Sequence, residues 1–299
     1  MSTYISIDLG GTNVRVAKVD EEGNILYDIK RPSCALNGPR AVMDNIIEMI
    51  ETIPELHSAK GIGIGIPGAV DTYRRVITIA TNLPGFEDYP ICDELEKRFN
   101  LPTFMDNDAN VAGLGEAMLG AGKGMTIVYY ITHSTGIGGA LVIDGTVVSG
   151  RKGYAGEIAN LIVRDDGEKY NYLNAGAVEN EASGTAIGRI GQKEIDENIS
   201  SAYEVFKLAL DNDPKAIEIL KRISRYIAKS MSMIAHVCDP HIFIIGGGCS
   251  NSSEAYFDYI REYYQEYVHT NMADVPIVKA ELKEPGVVGA AMLVKSYLK

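Results

Sequence analysis

Asp8-Leu9-Gly10-Gly11-Thr12 sets a carboxylate, two glycines and a hydroxyl between two strand-like runs. Paired glycines let a backbone approach a ligand closely and offer N–H groups to phosphate oxygens. Thr12 adds a hydroxyl donor, and Asp8, at the end of an apolar strand, is suited to hold Mg2+ through water. A plain hairpin turn would use the same residues. Ser134-Thr135-Gly136-Ile137-Gly138-Gly139 repeats the chemistry between two further strands, which points to a phosphate chain gripped from both sides. Gly246-Gly247-Gly248 follows an apolar run, and three glycines allow a flat adenine ring to lie on backbone.

Asp106-Asn107-Asp108-Ala109-Asn110 lies at a strand-to-helix turn. Asn107 can both donate to and accept from neighbouring sugar hydroxyls. Asp108 has two readings here: a base that accepts the proton of a primary alcohol, or the N-cap of the next helix. In Gly153–Asn160, Glu157 can accept two hydroxyls or serve as a solvated turn carboxylate. Glu179 and Asn82-Leu83-Pro84-Gly85 add polar groups in loops. Two further matches carry no chemistry. Gly63-Ile64-Gly65-Ile66-Pro67-Gly68 fits GxGxxG literally, but its glycines lie inside a strand with no helix start after them. Gly122-Lys123-Gly124 lacks the upstream glycine and the Ser/Thr of a P-loop.

The elements that must position these groups alternate. Tyr4–Leu9, Val14–Asp20 and Ile25–Lys30 read as strands, and Pro39–Ile53 has apolar residues at helical spacing. Ile62, Ile64 and Ile66 mark another strand, Cys92–Phe99 a short helix, Thr103–Met105 a strand and Ala109–Leu119 a helix. The pattern then restarts. Thr126–Thr132, Ile137–Ile143 and Thr146–Ser149 read as strands around a glycine turn, so the chain can hold two related halves. Helices follow at Ser183–Gly191, Tyr203–Leu210 and Pro214–Val237. His241–Ile245 is a strand, Ser253–His269 a helix, Pro276–Ala280 a strand and Gly286–Tyr297 a helix. The expectation is an α/β chain of two lobes with a central cleft, 1–118 and 119–299, with helix 286–298 packing back on the first lobe. Nucleotide binding and a dimer-type interface are expected in the second.

The 299 residues include 40 acidic and 28 basic side chains, a formal charge of −12. That disfavours nucleic acid or an anionic membrane as partner. No run of about 18 apolar residues occurs, and Met1-Ser2-Thr3 leads straight into a strand, so neither a transmembrane helix nor a signal peptide is expected. Cys34, Cys92, Cys238 and Cys249 are scattered without a CxxC pair, as reduced thiols in a cytoplasmic protein would be.

Taken in order, these motifs resemble those of the ROK family (repressors, uncharacterised frames and kinases) from end to end. Asp8–Thr12 resembles its DxGGT phosphate loop, Gly65-Ile66-Pro67-Gly68 its GxPG loop, and Asn82–Phe86 its NLPGW, with Phe for Trp. Asn107–Asn110 resembles NDAN, Gly136–Gly139 the second phosphate loop, Gly156-Glu157 the start of GEIGH, and Ile245–Gly248 the adenosine loop. The resemblance implies an actin-like (ribonuclease H-like) ATPase fold and γ-phosphoryl transfer from ATP to a hexose hydroxyl, usually O6, with closure of the lobes on sugar. It implies Asp108 as base and Gly68, Asn82, Asn107, Glu157 and Glu179 as sugar-binding. Asp8, Gly10, Gly11, Thr12, Thr135, Gly136, Gly246, Gly247 and Gly248 would take MgATP. It further implies a homodimer or homotetramer.

One departure concerns zinc. Where the family carries a His and three Cys, this chain has Asn160, Tyr170, Tyr172 and Ala177, so no zinc is expected. Tyr170 and Tyr172 are then expected to pack the loop. The resemblance places position 160 near C1 and C2 of the sugar, so Asn160 would open the pocket edge there to an N-acetyl group or a β-linked aglycone. Glucose is the default sugar; N-acetylmannosamine, N-acetylglucosamine and β-glucosides are the alternatives. His133-Ser134 stands where a Gly is usual, and His133 reads as structural. Sugar-responsive repressors of the family carry a helix-turn-helix ahead of the kinase-like body. Here the first phosphate loop begins at residue 8, which disfavours that reading. The intact loops and Asp108 disfavour a non-catalytic sugar sensor.

Overall fold

The structure is a computed structural model and describes residues 1–80 and 82–298. In chain order the elements are β1 (Thr3–Leu9), β2 (Asn13–Asp20), β3 (Ile25–Pro32), α1 (Pro39–Glu51), β4 (Ala59–Ile66), β5 (Ala69–Asp71), β6 (Val76–Ile79), α2 (Ile91–Phe99), β7 (Thr103–Asn107) and α3 (Asp108–Leu119). Then come β8 (Ile127–His133), β9 (Ile137–Ile143), β10 (Thr146–Val147), α4 (Val178–Ala182), α5 (Gly184–Glu194), α6 (Ala202–Leu210), α7 (Pro214–Cys238), β11 (Ile242–Gly246), α8 (Phe257–Tyr267), β12 (Ile277–Lys279) and α9 (Pro285–Tyr297).

The first sheet runs β3-β2-β1-β4-β7 and the second β10-β9-β8-β11-β12. The two orders correspond strand for strand: a three-stranded meander followed by two strands added beside its first. In the first sheet β1 pairs antiparallel with β2 and parallel with β4; in the second, β11 pairs parallel with β8 and β12. This is the repeated α/β architecture that the restarting pattern predicts. The chain forms two compact units. One comprises Met1–Thr126, Ala140–Ala155 and Glu281–Lys299; the other comprises Ile127–Gly139 and Gly156–Ala280.

Burial explains the elements of the first unit. Ile5, Ile7, Leu9, Ile62, Ile64 and Ile66 form a buried core with Val42, Met43, Ile46 and Ile50 of α1. Helix α9 lies against the other elements of this unit at small residues. A Cβ on Gly63 would fall 1.8 Å from the Ala290 carbonyl oxygen, and one on Gly289 equally close to that of Val111. The strand glycine Gly63 and the helix glycine Gly289 are therefore packing residues.

Three local features differ from the sequence expectation. The β5–β6 hairpin and the five-residue α4 were not anticipated; both are too short to show a period. The helix expected over 253–269 is split. Gly248–Ala255 forms a 3-10 segment, Tyr256 leaves helical geometry at φ −149°, and α8 begins at Phe257. The Tyr256 ring turns inward and is 1% exposed, so tertiary burial overrides local propensity there.

Candidate active site

In the first unit the register gathers the groups. Asp8, Gly65 and Asp106 stand in one row across β1, β4 and β7, and Ile66 pairs with Asn107 one step further on. The loops that leave these strand ends therefore meet, as they do in parallel α/β sheets that bind ligands at their carboxyl edge. Gly68, at φ +106°, presses on the Ile79 carbonyl, where any side chain would clash. Its own carbonyl accepts from Asn107 Nδ2 at 2.8 Å.

Asn107, not Asp108, is the N-cap of α3. Its Oδ1 accepts from Ala109 N at 2.8 Å and Asn110 N at 3.4 Å. Asp108 is the first helical residue, and its Oδ1 accepts from Ala109 N at 2.8 Å. The cap reading of Asp108 is thus corrected, because the neighbouring amide has the extended backbone that capping requires. Among the described residues, one N–H of Asn107 Nδ2 remains after its bond to Gly68. Asp106, 1% exposed, accepts from Asn107 N, Asn110 Nδ2 and Ser149 Oγ at 2.7, 2.7 and 3.2 Å. Burial pushes its carboxyl pKa up. Sequence reading missed Ser149, which is distant in the chain and unremarkable in type.

The glycine turn of this unit is held from behind. Gly10 N donates to Asn13 O, Ser33 Oγ donates to Gly11 O at 2.7 Å, and Ser33 N donates to Thr12 O at 2.9 Å. The N–H groups of Gly11 and Thr12 find no acceptor among the described residues. A Cβ on Gly11 would sit 2.8 Å from both the Cβ and the carbonyl oxygen of Asn82, so the exposed Asn82 lies directly on the turn. Asp8 makes no side-chain hydrogen bond among the described residues. Burial raises its pKa, Arg15 opposes that, and Glu284 adds to it. A half-buried carboxylate lacking a donor among the described residues suits a hydrated cation.

In the second unit, Ser134 O accepts from Gly184 N at 2.7 Å and Thr135 O from Thr185 N at 3.2 Å, both at the start of α5. Thr135 N and Gly136 N find no acceptor among the described residues. Glu179 Oε2 accepts from Ile137 N at 2.8 Å, and a Cβ on Gly136 would fall 2.6 Å from that same oxygen. Segment 157–162 runs against 174–179. Glu179 N donates to Ala159 O, Val178 N donates to Leu161 O, and Asn174 N donates to Asn160 Oδ1 at 2.8 Å. This brings Glu157, Asn160 and Glu179 together. Burial raises the pKa of both Glu157 and Glu179, and the charge of Glu179 raises Glu157 further. Tyr129 Oη donates to Gly156 O at 2.6 Å and fixes the turn ahead of Glu157.

The three glycines after β11 separate by cause. A Cβ on Gly246 would strike the Tyr130 hydroxyl, and Gly247 has φ +85° and packs on the His133 backbone. Gly248 meets only Ser134 Oγ at 3.5 Å, so it is the open one.

Asn160, Tyr170, Tyr172 and Ala177 do not suit zinc, since none is an ordinary ligand for it. No group of three His, Cys, Asp or Glu side chains able to hold a metal occurs among the described residues. The packing expected of the two tyrosines holds for Tyr170 and is corrected for Tyr172. Tyr172 is 76% exposed, and the loop closes on an apolar knot of Ala159, Leu173 and Ala177. Tyr170 stacks under the Arg189 guanidinium, 3.7 Å from ring centroid to Cζ. Among the described residues no helix is long and apolar enough to cross a membrane.

Turns that present paired N–H donors, beside carboxylates and amides at strand ends, are the equipment of an α/β phosphotransferase. The chain belongs to the ROK family, whose defining sequence pattern matches residues 4–297. It is 33% identical to the glucokinase of Thermotoga maritima, covering 98% of each chain. The ROK hexokinase of Thermus thermophilus superposes with a TM-score of 0.89 at 31% identity, covering 99% of each chain. A ROK family glucokinase of Streptomyces griseus, solved with glucose and AMPPNP, gives 0.78 at 29% identity, covering 99% of this chain and all of that one.

Proposed function

We propose that this protein is an ATP-dependent hexose kinase that transfers the γ-phosphoryl group to the sugar 6-hydroxyl, with glucose as its first substrate. The observation that carries the reading is the division of labour at the start of α3. Asn107 caps the helix, and Asp108 stands as its first residue, beside the cap and not in its place. Asp108 accepts the hydroxyl proton as the sugar oxygen attacks phosphorus. Phosphoryl transfer asks the protein mainly for positioning and charge stabilisation. The donors of Gly11, Thr12, Thr135 and Gly136 supply the latter, with Gly10 shaping the first turn and Gly246–Gly248 receiving the adenosine. Gly68, Asn82, Asn107, Glu157, Asn160 and Glu179 orient the sugar. Asp8 would hold Mg2+ through water; when bound, the ion offsets negative charge on the phosphate oxygens.

A coupled ADP-release assay over glucose, N-acetylmannosamine, N-acetylglucosamine and cellobiose tests this. Turnover is expected, with glucose giving the highest kcat/KM. No turnover with any of them would sink the proposal. We further propose a cytoplasmic homodimer or homotetramer that needs no zinc. Light scattering on the purified chain and metal analysis of active protein check those two points.

A further inference from the structure

One buried side chain of the second unit is used by none of the steps above yet touches several of the segments involved. His133 ends β8, directly before the Ser134–Gly136 turn, and is 1% exposed. Its Nε2 lies 2.9 Å from the Ala182 carbonyl oxygen, which can only accept, so Nε2 carries the hydrogen. Nδ1 is then the acceptor for the Tyr256 hydroxyl, also at 2.9 Å. Burial pulls the imidazole pKa down to about 4, so this tautomer stays neutral near pH 7.

The partners give the contacts their meaning. Ala182 is the last residue of α4, the helix that carries Glu179. On the other flank of the turn, Ile137 N donates to Glu179. The turn is therefore tied to α4 on both sides, by His133 before it and Ile137 after it. Gly247 packs so tightly on His133 that a Cβ there would lie 2.5 Å from the His133 carbonyl oxygen. The Tyr256 ring is itself wedged, stacked on Phe206 and edge-on to Phe257. A hydrophobic side chain could fill the volume of His133, but it could not tie α4 to the segment before α8.

We propose that His133 is a positioning residue, holding the Ser134–Gly136 turn, the Glu179 helix and the 246–248 loop in one register for ATP. This rests on reading that turn as a phosphate loop. Displacements of about 1 Å in such groups cost up to ~100-fold in rate.

The test measures Kd for Mg-AMPPNP by calorimetry, KM for ATP, and thermal unfolding for each variant. His133→Leu is expected to weaken AMPPNP binding roughly 10-fold or more, with a matching rise in KM for ATP. His133→Gln keeps a donor toward Ala182 and should recover part of that loss. Tyr256→Phe, which deletes one oxygen, should cost about 3-fold and carries the test if His133→Leu does not fold. Gly136→Ala probes the turn itself. If it binds AMPPNP as the parent does, the turn is no phosphate loop and the proposal falls with that reading. If Gly136→Ala weakens binding while folded His133→Leu or Tyr256→Phe keeps the parent Kd and KM, the phosphate loop stands and the positioning role is wrong.

Discussion

The two glycine turns answer one chemical demand with different supports. In each, the carbonyl oxygens are tied from behind and two successive N–H groups are left without an acceptor among the described residues. In each, the second or only central glycine lies under a polar residue proposed to bind sugar: Asn82 on Gly11, Glu179 on Gly136. The ties differ. A single residue, Ser33, holds the first turn with its hydroxyl and its N–H. The second is held by the backbone that opens α5 and by the His133 bridge. The first unit places a carboxylate, Asp108, at the start of the helix that follows its row of strand ends. The turns are alike in what they present and unlike in what keeps them so.

The largest test of that contrast is Asp108→Asn. It should lower kcat by about 1,000-fold or more while sugar Kd stays within about 3-fold, because only the base is removed. Retained turnover would take Asp108 out of the mechanism. Next come the two glycines. Gly11→Ala meets Asn82 backbone, which cannot swing away, whereas Gly136→Ala meets the mobile end of Glu179. We expect losses in kcat/KM of roughly 100-fold and 10-fold respectively; the reverse order would break the comparison. Ser33→Ala leaves its own N–H on Thr12 but frees Gly11 O, and should cost about 1 kcal/mol in unfolding free energy with a small loss of ATP affinity.

A pH dependence is expected from the support of the second turn and not from that of the first. His133 titrates at about 4 in the fold against an ordinary 6.5. Between those values the unfolded chain binds a proton that the folded one does not, so stability falls as pH drops from about 6.5 to about 4. Chemical denaturation across that window should show a slope that His133→Leu reduces. An unchanged slope would show that His133 does not carry it.

Much of this was legible in the sequence. Alternating apolar residues at Ile62, Ile64 and Ile66 specify a strand locally, and the two glycine turns announce themselves by spacing. The repeated sheet order follows from a pattern that restarts after Gly124. What was hidden depended on distance along the chain. Ser33 reaches Gly11 across 22 residues, and His133 reaches Tyr256 across 123. Neither pairing has a local period. The assignment of the cap to Asn107 over Asp108 turns on one backbone angle, ψ 147°, that residue type does not determine. The loop of Ala159, Leu173 and Ala177 was hidden for another reason: small apolar residues gain meaning only once folded together.

The tie behind the first turn has an evolutionary consequence. Because Ser33 Oγ is a side-chain atom, a single codon change alters that hold on the first turn, and drift or selection can tune it in one step. The tie that opens α5 is made of main-chain N–H groups, which nearly any residue supplies. The second turn is thereby buffered against mutation at its own support, and the first is the more adjustable.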